Sequence, residues 1–179
     1  SGRTVSQVQV QGTVGDRLVF TAVAAAAAWP RQGLDSAWRT MPREVPPPAK
    51  GEALRGLLPD GLANPGHFLA CEQRLVSDDD DARAGKMLVW ARLVPELAEG
   101  NRPTTAAAIA FLSDLVPFCV SRATGVAGAG SSLDITLRFG ERVASEWVLV
   151  EIEADLLVSG IGHGAVRVWS EDGRLLAVG

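Results

Sequence analysis

The chain has 179 residues, 47% of them hydrophobic and 21% charged, so it is long enough for one domain or one and a half with a substantial core. Its net charge is −4 and its Lys and Arg residues are scattered, which argues against nucleic acid or a membrane as a partner. No apolar run reaches the roughly 18 residues of a membrane helix, and the first residues lack a signal-peptide pattern, so we expect a cytoplasmic protein.

The first 29 residues have the pattern of a β-hairpin. Apolar and polar residues alternate from Thr4 to Val10, and the sequence RLVFTAV from Arg17 to Val23 predicts a second strand after a turn with glycines and Asp16. The alanines at 24–28 have high helix propensity. Because they follow directly on a strand and end at Trp29–Pro30, we expect them to continue it.

Residues 30–65 have the composition of a linker. They contain seven of the ten prolines, including the run Pro46 to Pro48. Proline interrupts regular elements, so we expect a segment wrapped over the surface, with one short helical turn near Arg55 to Leu58.

Two further strands are predicted at His67–Val76 and Lys86–Leu93. The aspartates Asp78 to Asp81 lie between them. Four adjacent carboxylates cannot all face one metal ion, and like-charge runs are usually solvated. We therefore expect a hairpin loop here rather than a metal site.

The clearest helix is predicted at Ala106–Val120, which is almost wholly apolar and so buried on most faces. Thr104 or Thr105 is suited to be its N-cap. Pro117 should kink or end it. A polar pair, Ser113 and Asp114, interrupts its apolar surface.

The remaining residues predict a series of strands and a glycine-rich bend. The strands are Leu133–Phe139, Glu146–Leu157, Ala165–Trp169 and Arg174–Val178. Residues 160–164 read GIGHG, but a phosphate-binding loop would need a following helix. We expect a bend that a backbone or ligand approaches closely. One buried helix against an antiparallel sheet is an α+β architecture.

Several motifs together resemble the acyl-CoA thioesterase II family. They are FLSDLVP at 111–117, SLDITLRF at 132–139, EWVLVEIEA at 146–154 and VWSEDGRLLA at 168–177. The opening GRTVSQVQVQ and RLVFTAVA are similar to the last strands of the family's first domain. The helix Ser–Asp pair and the SLDxxxRF strand, at this spacing, are the most specific part.

This resemblance implies a double hot-dog protein, in which each domain has a long central helix wrapped by an antiparallel sheet. Residues 1–29 would be the terminal strands of an incomplete N-terminal hot-dog, 30–65 a Pro-rich linker and 66–179 the C-terminal hot-dog domain. We expect a fragment that pairs with a second hot-dog or forms a homo-oligomer.

The resemblance also implies a catalytic site for acyl-CoA, with no cofactor and no metal. In this family an aspartate, a hydroxyl residue and a glutamine hold a water against the thioester carbonyl. The first two correspond to Asp114 and Ser132, and the glutamine would fall just beyond Gly179. An apolar channel beside the helix would hold the acyl chain, and scattered arginines would meet the CoA phosphates.

The residues themselves favour the same chemistry but leave alternatives open. A carboxylate in an apolar helix costs several kcal/mol unless it has partners, so we expect Asp114 to be buried beside a hydroxyl and to act as a general base. It could instead face solvent or cap the helix end, and Ser131 could replace Ser132. Asp134 is expected to pair with a nearby cation such as Arg138 or Arg167, or to cap backbone at the domain interface.

The remaining reactive residues have simpler interpretations. His67 and His163 lack the neighbours of a catalytic triad or a zinc site, so we expect strand residues satisfied locally. Cys71 and Cys119 are far apart and form no CxxC motif, which disfavours a disulfide or zinc site. Cys119 is expected in the core.

The leading functional prediction is hydrolysis of acyl-CoA thioesters to free fatty acid and CoA. One alternative is a non-catalytic acyl-CoA-binding or assembly subunit of the same fold, because the glutamine and part of the first domain are missing from the sequence. A hot-dog enoyl-CoA hydratase is less favoured, because neither histidine follows an aspartate at suitable spacing.

Overall fold

The computed structural model describes residues 5–27, 36–57, 69–94, 105–126 and 130–179. Contacts divide the chain into two compact units, Ser1–Ser36 and Ala37–Gly179. Residues 37–57, which the sequence assigns to the linker, therefore lie within the second unit.

The first unit is an antiparallel ribbon of two strands, β1 (Val5–Val14) and β2 (Arg17–Ala27). The predicted hairpin is confirmed, and the alanines do continue the second strand as far as Ala27. Gly15 in the turn has φ +57°, a left-handed conformation that glycine adopts without strain.

The second unit contains a mixed set of elements around one antiparallel sheet. Its strands are β3 (Glu52–Ala53), β4 (Cys71–Leu75), β5 (Lys86–Leu93), β6 (Arg138–Phe139), β7 (Val148–Val158), β8 (Ile161–Ser170) and β9 (Leu175–Val178). Among the described residues, the sheet order is β3-β4-β5-β7-β8-β9-β6. Its α-helices are α1 (Asp79–Arg83), α2 (Ala106–Leu112) and α3 (Val116–Thr124), with 3₁₀ turns at Pro48–Lys50 and Leu54–Leu57.

The two faces of the sheet bury different clusters, as the alternation of side chains along a strand requires. One face packs against α2 and α3 through residues such as Val150, Ile152 and Cys119. The other face buries Trp90, Leu149 and Trp169 against residues that include Met41 and Val45. The α+β architecture is confirmed, and it has the helix-on-antiparallel-sheet layout of a hot-dog fold.

The segment predicted as a linker contributes to this unit. Leu54 is buried in the main core, and Glu52 pairs with Leu75 at the edge of the sheet. The indole N–H of Trp90 donates to the Pro46 carbonyl at 2.8 Å. Proline-rich sequence here covers the sheet without forming a long element, because it offers few N–H donors.

The hairpin predicted around the aspartate run is confirmed, since β4 and β5 pair antiparallel, but the connection contains a short helix where a loop was expected. Asp78 is the N-cap of α1, and its carboxylate accepts a hydrogen bond from the Asp81 N–H at 2.9 Å. Acidic side chains in the first turn of a helix are also favoured by the helix dipole. Arg83 in the last turn donates to Asp80 at 2.5 Å.

The single helix predicted at Ala106–Val120 is instead two helices. Thr105 caps α2, as expected, by accepting from the Ala108 N–H at 3.1 Å. The helix stops at Leu112, and α3 starts at Val116. Pro117 does not kink a helix but lies in the first turn of α3, where no intrahelical N–H bond is lost.

Two predicted strands are shorter than expected. Within Leu133–Phe139 only Arg138 and Phe139 pair, with Val178 and Ala177. Within His67–Val76 the described strand is Cys71–Leu75, and Leu69 and Ala70 before it are helical.

By length and composition, Ala106–Thr124 passes the criterion for a membrane span, contrary to the sequence expectation that no apolar run is long enough. The core helix of a soluble protein passes the same criterion. Several of its residues, including Ile109, Leu112 and Cys119, are buried in the core against the sheet.

Candidate functional site

A cavity of about 670 Å³ lies beside α3 in the second unit. Its walls come from the break between α2 and α3, from α3 itself, from residues 130–135 and from the tip of the β7–β8 hairpin. Apolar side chains such as Val116, Val120 and Leu157 contribute most of the surface, and polar groups are few. Such a mixture is typical of a ligand pocket.

The break between the helices determines where Asp114 lies. Ser113 ends α2: its N–H donates to the Ile109 carbonyl at 3.0 Å and its hydroxyl to the Ala110 carbonyl at 3.2 Å. Leu115 is the N-cap of α3 and is buried. Asp114 is held between them and borders the cavity.

Asp114 and Ser132 are brought together at the cavity. The Ser132 hydroxyl donates to Asp114 Oδ1 at 2.5 Å, and both residues line the cavity. Ser131 lines it as well, but the hydrogen bond is made by Ser132. Of the two serines that the sequence left open, Ser132 is the one that pairs with the aspartate.

Asp114 is exposed, so the expectation of a buried carboxylate is wrong. It lies in the loop between two helices and not on the buried wall of one. A carboxylate in that position keeps access to water, and it avoids the cost of transfer to an apolar environment.

Two further groups line the cavity, Asp134 and His163. Asp134 forms no ion pair with any residue that the structure describes, so the predicted pairing with Arg138 or Arg167 is wrong. Arg167 instead contacts Glu151 at 3.3 Å and Glu153 at 3.1 Å. Arg167, Glu151 and Glu153 all lie on the sheet face that points away from α3. The sequence spacing between Asp134 and Arg167 does not show on which face each residue lies.

His163 was not predicted to be a site residue. It lies in β8 and borders the cavity, because this strand continues into the hairpin tip beyond the central sheet. The only sequence signal was its position in the GIGHG motif. His67, the other histidine, lies outside the described residues.

Gly162 and Gly164 of this motif allow close approach, as predicted, but they lie within β8, and only Gly160 belongs to a turn. The turn before them consists of Ser159 and Gly160, with φ +53° and +80°. Gly162 and Gly164 belong to β8 and line the cavity next to α3.

The two cysteines are buried and separate from the cavity-lining residues. Burial raises the pKa of the Cys71 thiol to about 11. Burial also raises the pKa of Cys119, against the smaller effects of a hydrogen bond to the Ala154 backbone and the charge of Arg122. Cys119 is a core residue, as predicted.

Among the residues that the structure describes, no group of three or more His, Cys, Asp and Glu side chains is arranged to hold a metal ion. The cavity presents the hydrogen-bonded pair of Asp114 and Ser132, a second carboxylate at Asp134, the imidazole of His163 and mostly apolar walls. A carboxylate can accept a proton, and the hydroxyl can orient a bound water.

Comparison with known proteins identifies the domain. Residues 41–179 match the family model of the acyl-CoA thioesterase C-terminal domain. No curated protein matches the chain in sequence.

Solved structures show the same fold. A protein of Novosphingobium aromaticivorans DSM 12444, provisionally named a thioesterase, is 31% identical with a TM-score of 0.77, covering 99% of this chain and 66% of its own. The tesB protein of Mycobacterium avium subs paratuberculosis is 18% identical with a TM-score of 0.74, covering 99% and 64%. A hot-dog protein of unknown function from Alicyclobacillus acidocaldarius is 21% identical with a TM-score of 0.74, covering 99% and 66%.

The chain spans just under two thirds of the length of each of these proteins. The two structures below 25% identity establish the hot-dog fold alone. Because the family match covers most of the sequence, the chain belongs to the acyl-CoA thioesterase C-terminal domain family.

Proposed function

We propose that the chain hydrolyses acyl-CoA thioesters to free fatty acid and CoA. The observation that carries the proposal is the hydrogen bond from Ser132 to Asp114 at the mouth of a largely apolar cavity. Membership of the thioesterase family supports the substrate class. The names given to the related structures point the same way.

In this mechanism Asp114 acts as the general base. Ser132 donates to Oδ1, which leaves Oδ2 to accept a proton from a water as its oxygen attacks the thioester carbonyl. The new C–O bond forms, the C–S bond breaks, and CoA leaves with the proton that Asp114 returns. The N–H of Val116 at the start of α3 is the candidate donor for the oxyanion, because Pro117 has no N–H and the Phe118 N–H donates to the Leu115 carbonyl at 3.1 Å.

The decisive test is Asp114→Asn, assayed by release of the CoA thiol from acyl-CoA substrates of several lengths. We expect kcat to fall by about 10²–10⁴-fold, because the amide cannot accept the proton. Ser132→Ala should cost less, roughly tenfold, because it removes an orienting bond and not the base.

A matched control is Asp172→Asn. Asp172 also accepts a hydrogen bond from a serine hydroxyl, that of Ser170, but neither residue lines the cavity. Its variant should keep the wild-type rate. Equal rates for the wild type and Asp114→Asn would remove Asp114 from the mechanism.

A non-catalytic acyl-CoA-binding or assembly subunit is the second candidate. The exposure of Asp114 favours it, because an open carboxylate does not by itself enclose an attacking water away from bulk solvent. Tight acyl-CoA binding by calorimetry without turnover of any chain length would establish this alternative.

A hot-dog enoyl-CoA hydratase is the third. It is favoured by one observation, that His163 lines the same cavity as Asp114 and Asp134. Hydration of crotonyl-CoA, followed by loss of the enoyl absorbance and abolished by His163→Ala, would support it over thioester hydrolysis.

A further inference from the structure

We propose that Gly162, opposite Val120 of α3, determines the length of acyl chain that the cavity accepts. This inference rests on the proposed function and assigns a specificity role to a residue outside the Asp114–Ser132 pair. It starts from the question of why β8 contains glycine at 162 and 164.

Neither glycine is required by the backbone. Positive φ values among the described glycines occur at other positions, so Gly162 and Gly164 have conformations open to any residue. Glycine in a strand interior weakens the strand, and it often marks a place where a ligand or another backbone approaches. The missing side chains therefore serve to leave space.

The space differs at the two positions. A Cβ on Gly164 would lie 2.6 Å from the Glu153 carbonyl oxygen and 2.8 Å from Val116 Cγ1, so Gly164 is needed for packing. The atoms nearest to a Cβ on Gly162 would all be side-chain atoms, Val120 Cγ2 at 3.2 Å, Val120 Cγ1 at 3.5 Å and Leu157 Cδ1 at 3.8 Å. A side chain at 162, on the cavity lining, would therefore require only the Val120 side chain to shift by a few tenths of an ångström, and it would narrow the cavity there.

The distance of Gly162 from Asp114 can be estimated from the residues of α3 that the two glycines of β8 face. Val116 lies near Gly164 in the first turn of α3, next to Asp114. Val120 lies one turn further, about 6 Å along the helix axis at 1.5 Å per residue. With C–C bonds of about 1.5 Å, an extended acyl chain advances roughly 1.3 Å per carbon and reaches Gly162 near its sixth carbon.

The walls on this side suit an acyl chain. Val120, Leu157 and Ile161 line the cavity here. The hydroxyls of Ser121 and Thr124 on the same helix are occupied by backbone carbonyls, donating to Val126 at 2.6 Å and to Val120 at 2.9 Å. These polar residues therefore present little hydrogen-bonding capacity to a ligand.

The test compares butyryl-, octanoyl- and dodecanoyl-CoA with wild type and Gly162→Val. We expect butyryl-CoA to keep its kcat/KM, while the kcat/KM for dodecanoyl-CoA falls at least tenfold, since each excluded methylene is worth about fourfold in binding. Ala165→Val, three residues further along β8 and outside the cavity lining, is the matched control and should leave the length profile unchanged.

A compensating pair separates a specificity role from damage to the fold. In Gly162→Val/Val120→Ala the added volume is offset, so activity towards dodecanoyl-CoA should recover, and Val120→Ala alone should favour the longer substrates. Equal losses at all three lengths in Gly162→Val, or no recovery in the double variant, would overturn the inference.

A binding measurement distinguishes failure of the proposed function from failure of the length-selection role of Gly162. If the wild type hydrolyses no acyl-CoA, the same profile is measured as binding of butyrate, octanoate and dodecanoate by calorimetry. Selective loss of dodecanoate binding in Gly162→Val sustains the inference without hydrolysis. Absence of fatty-acid binding by the wild type overturns both proposals.

Discussion

At the scale of single residues, Glu72 is the centre of the strongest charge cluster on the sheet. Arg74 donates to its Oε1 at 2.9 and 2.6 Å, and Arg92 donates to its Oε2 at 3.0 and 2.8 Å. Arg92 also contacts Glu146 and stacks on Trp147 at 4.4 Å. Partial burial raises the pKa of Glu72, but the hydrogen bonds and charges of the two arginines outweigh it, so its pKa is lowered from the ordinary 4.5.

This cluster should make stability depend on pH. Because the folded-state pKa of Glu72 is lowered, its contribution is complete above about pH 4.5 and is lost as the pH falls through the folded-state value. We expect Glu72→Gln to lower the free energy of unfolding by roughly 1 kcal/mol at pH 7, since the ion pairs are partly exposed. The difference from wild type should narrow below pH 4.5, as measured by urea unfolding.

Asp80→Asn is the control for this prediction. It removes the Asp80–Arg83 pair, whose side chains are 90% and 72% exposed, and such a pair contributes little. The unfolding free energy of Asp80→Asn should match that of the wild type both at pH 7 and below pH 4.5. If Glu72→Gln lowered the free energy of unfolding by the same amount from pH 7 to pH 3, the role assigned to the carboxylate would be contradicted.

Some features of the site can be predicted from the sequence and others cannot. Asp114 and Ser132 follow from the resemblance, and the structure places them in hydrogen-bond contact. Their exposure does not follow, because it depends on α2 ending at Leu112, two residues before Asp114. His163 was missed because only the extension of β8 past the central sheet brings it to the cavity.

At the scale of elements, α3 lies close against β8 beside the cavity. Gly164 makes this close approach possible, since a Cβ there would overlap the backbone of β7 and the side chain of Val116. Relief would require α3 or β7 to move, and overpacking of this kind costs about 1–3 kcal/mol. We therefore expect Gly164→Ala to destabilise the protein by that amount in chemical denaturation.

Gly162→Ala provides the comparison on the same strand. Its new methyl group meets only side-chain atoms at 3.2 Å or more, so its cost should remain below about 1 kcal/mol. Equal effects of the two substitutions would mean that α3 is not held against β8 as described.

Elements with one dominant signal are predicted well from sequence. The strand at Lys86–Leu93 has the predicted bounds, since it is largely apolar and follows a turn at Ala84–Gly85. The helix break at 113–115 is missed because apolar residues resume directly after the polar pair Ser113 and Asp114, while the backbone is governed by local capping and by Pro117. The helical turn in the aspartate run is missed because mutual repulsion suggests an irregular loop, whereas an N-cap and a helix dipole stabilise the same charges.

At the scale of the whole molecule, the sequence predicts one helical layer on an antiparallel sheet. It does not predict the order of the strands or which distant residues enter the core. Strand order depends on long-range pairing, such as β6 with β9, that local patterns do not encode. The proline-rich segment also makes long-range contacts that its composition does not predict. Leu54 enters the core and the Pro46 carbonyl accepts a hydrogen bond from Trp90, although the composition alone suggests a linker.

The distribution of buried residues predicts that Ala37–Gly179 folds without residues 1–36. Every buried hydrophobic residue that the structure describes belongs to this unit, from Leu54 to Ala177. The ribbon β1–β2 instead exposes large apolar side chains, including Val8, Phe20 and Val23, and an isolated two-stranded ribbon is marginal in water. Removing it should therefore leave the cooperative core intact.

We expect the shortened chain to unfold in one transition, with a midpoint within about 3 °C of the full chain, which is a change of under roughly 1 kcal/mol for a domain of this size. The peptide of residues 1–36 should show no strand signal by circular dichroism. If Ala37–Gly179 lost its cooperative transition, the ribbon would have to supply stability that the buried residues do not account for. Because the cavity-lining residues all lie between 113 and 166, the shortened chain should also keep the acyl-length profile of the full chain.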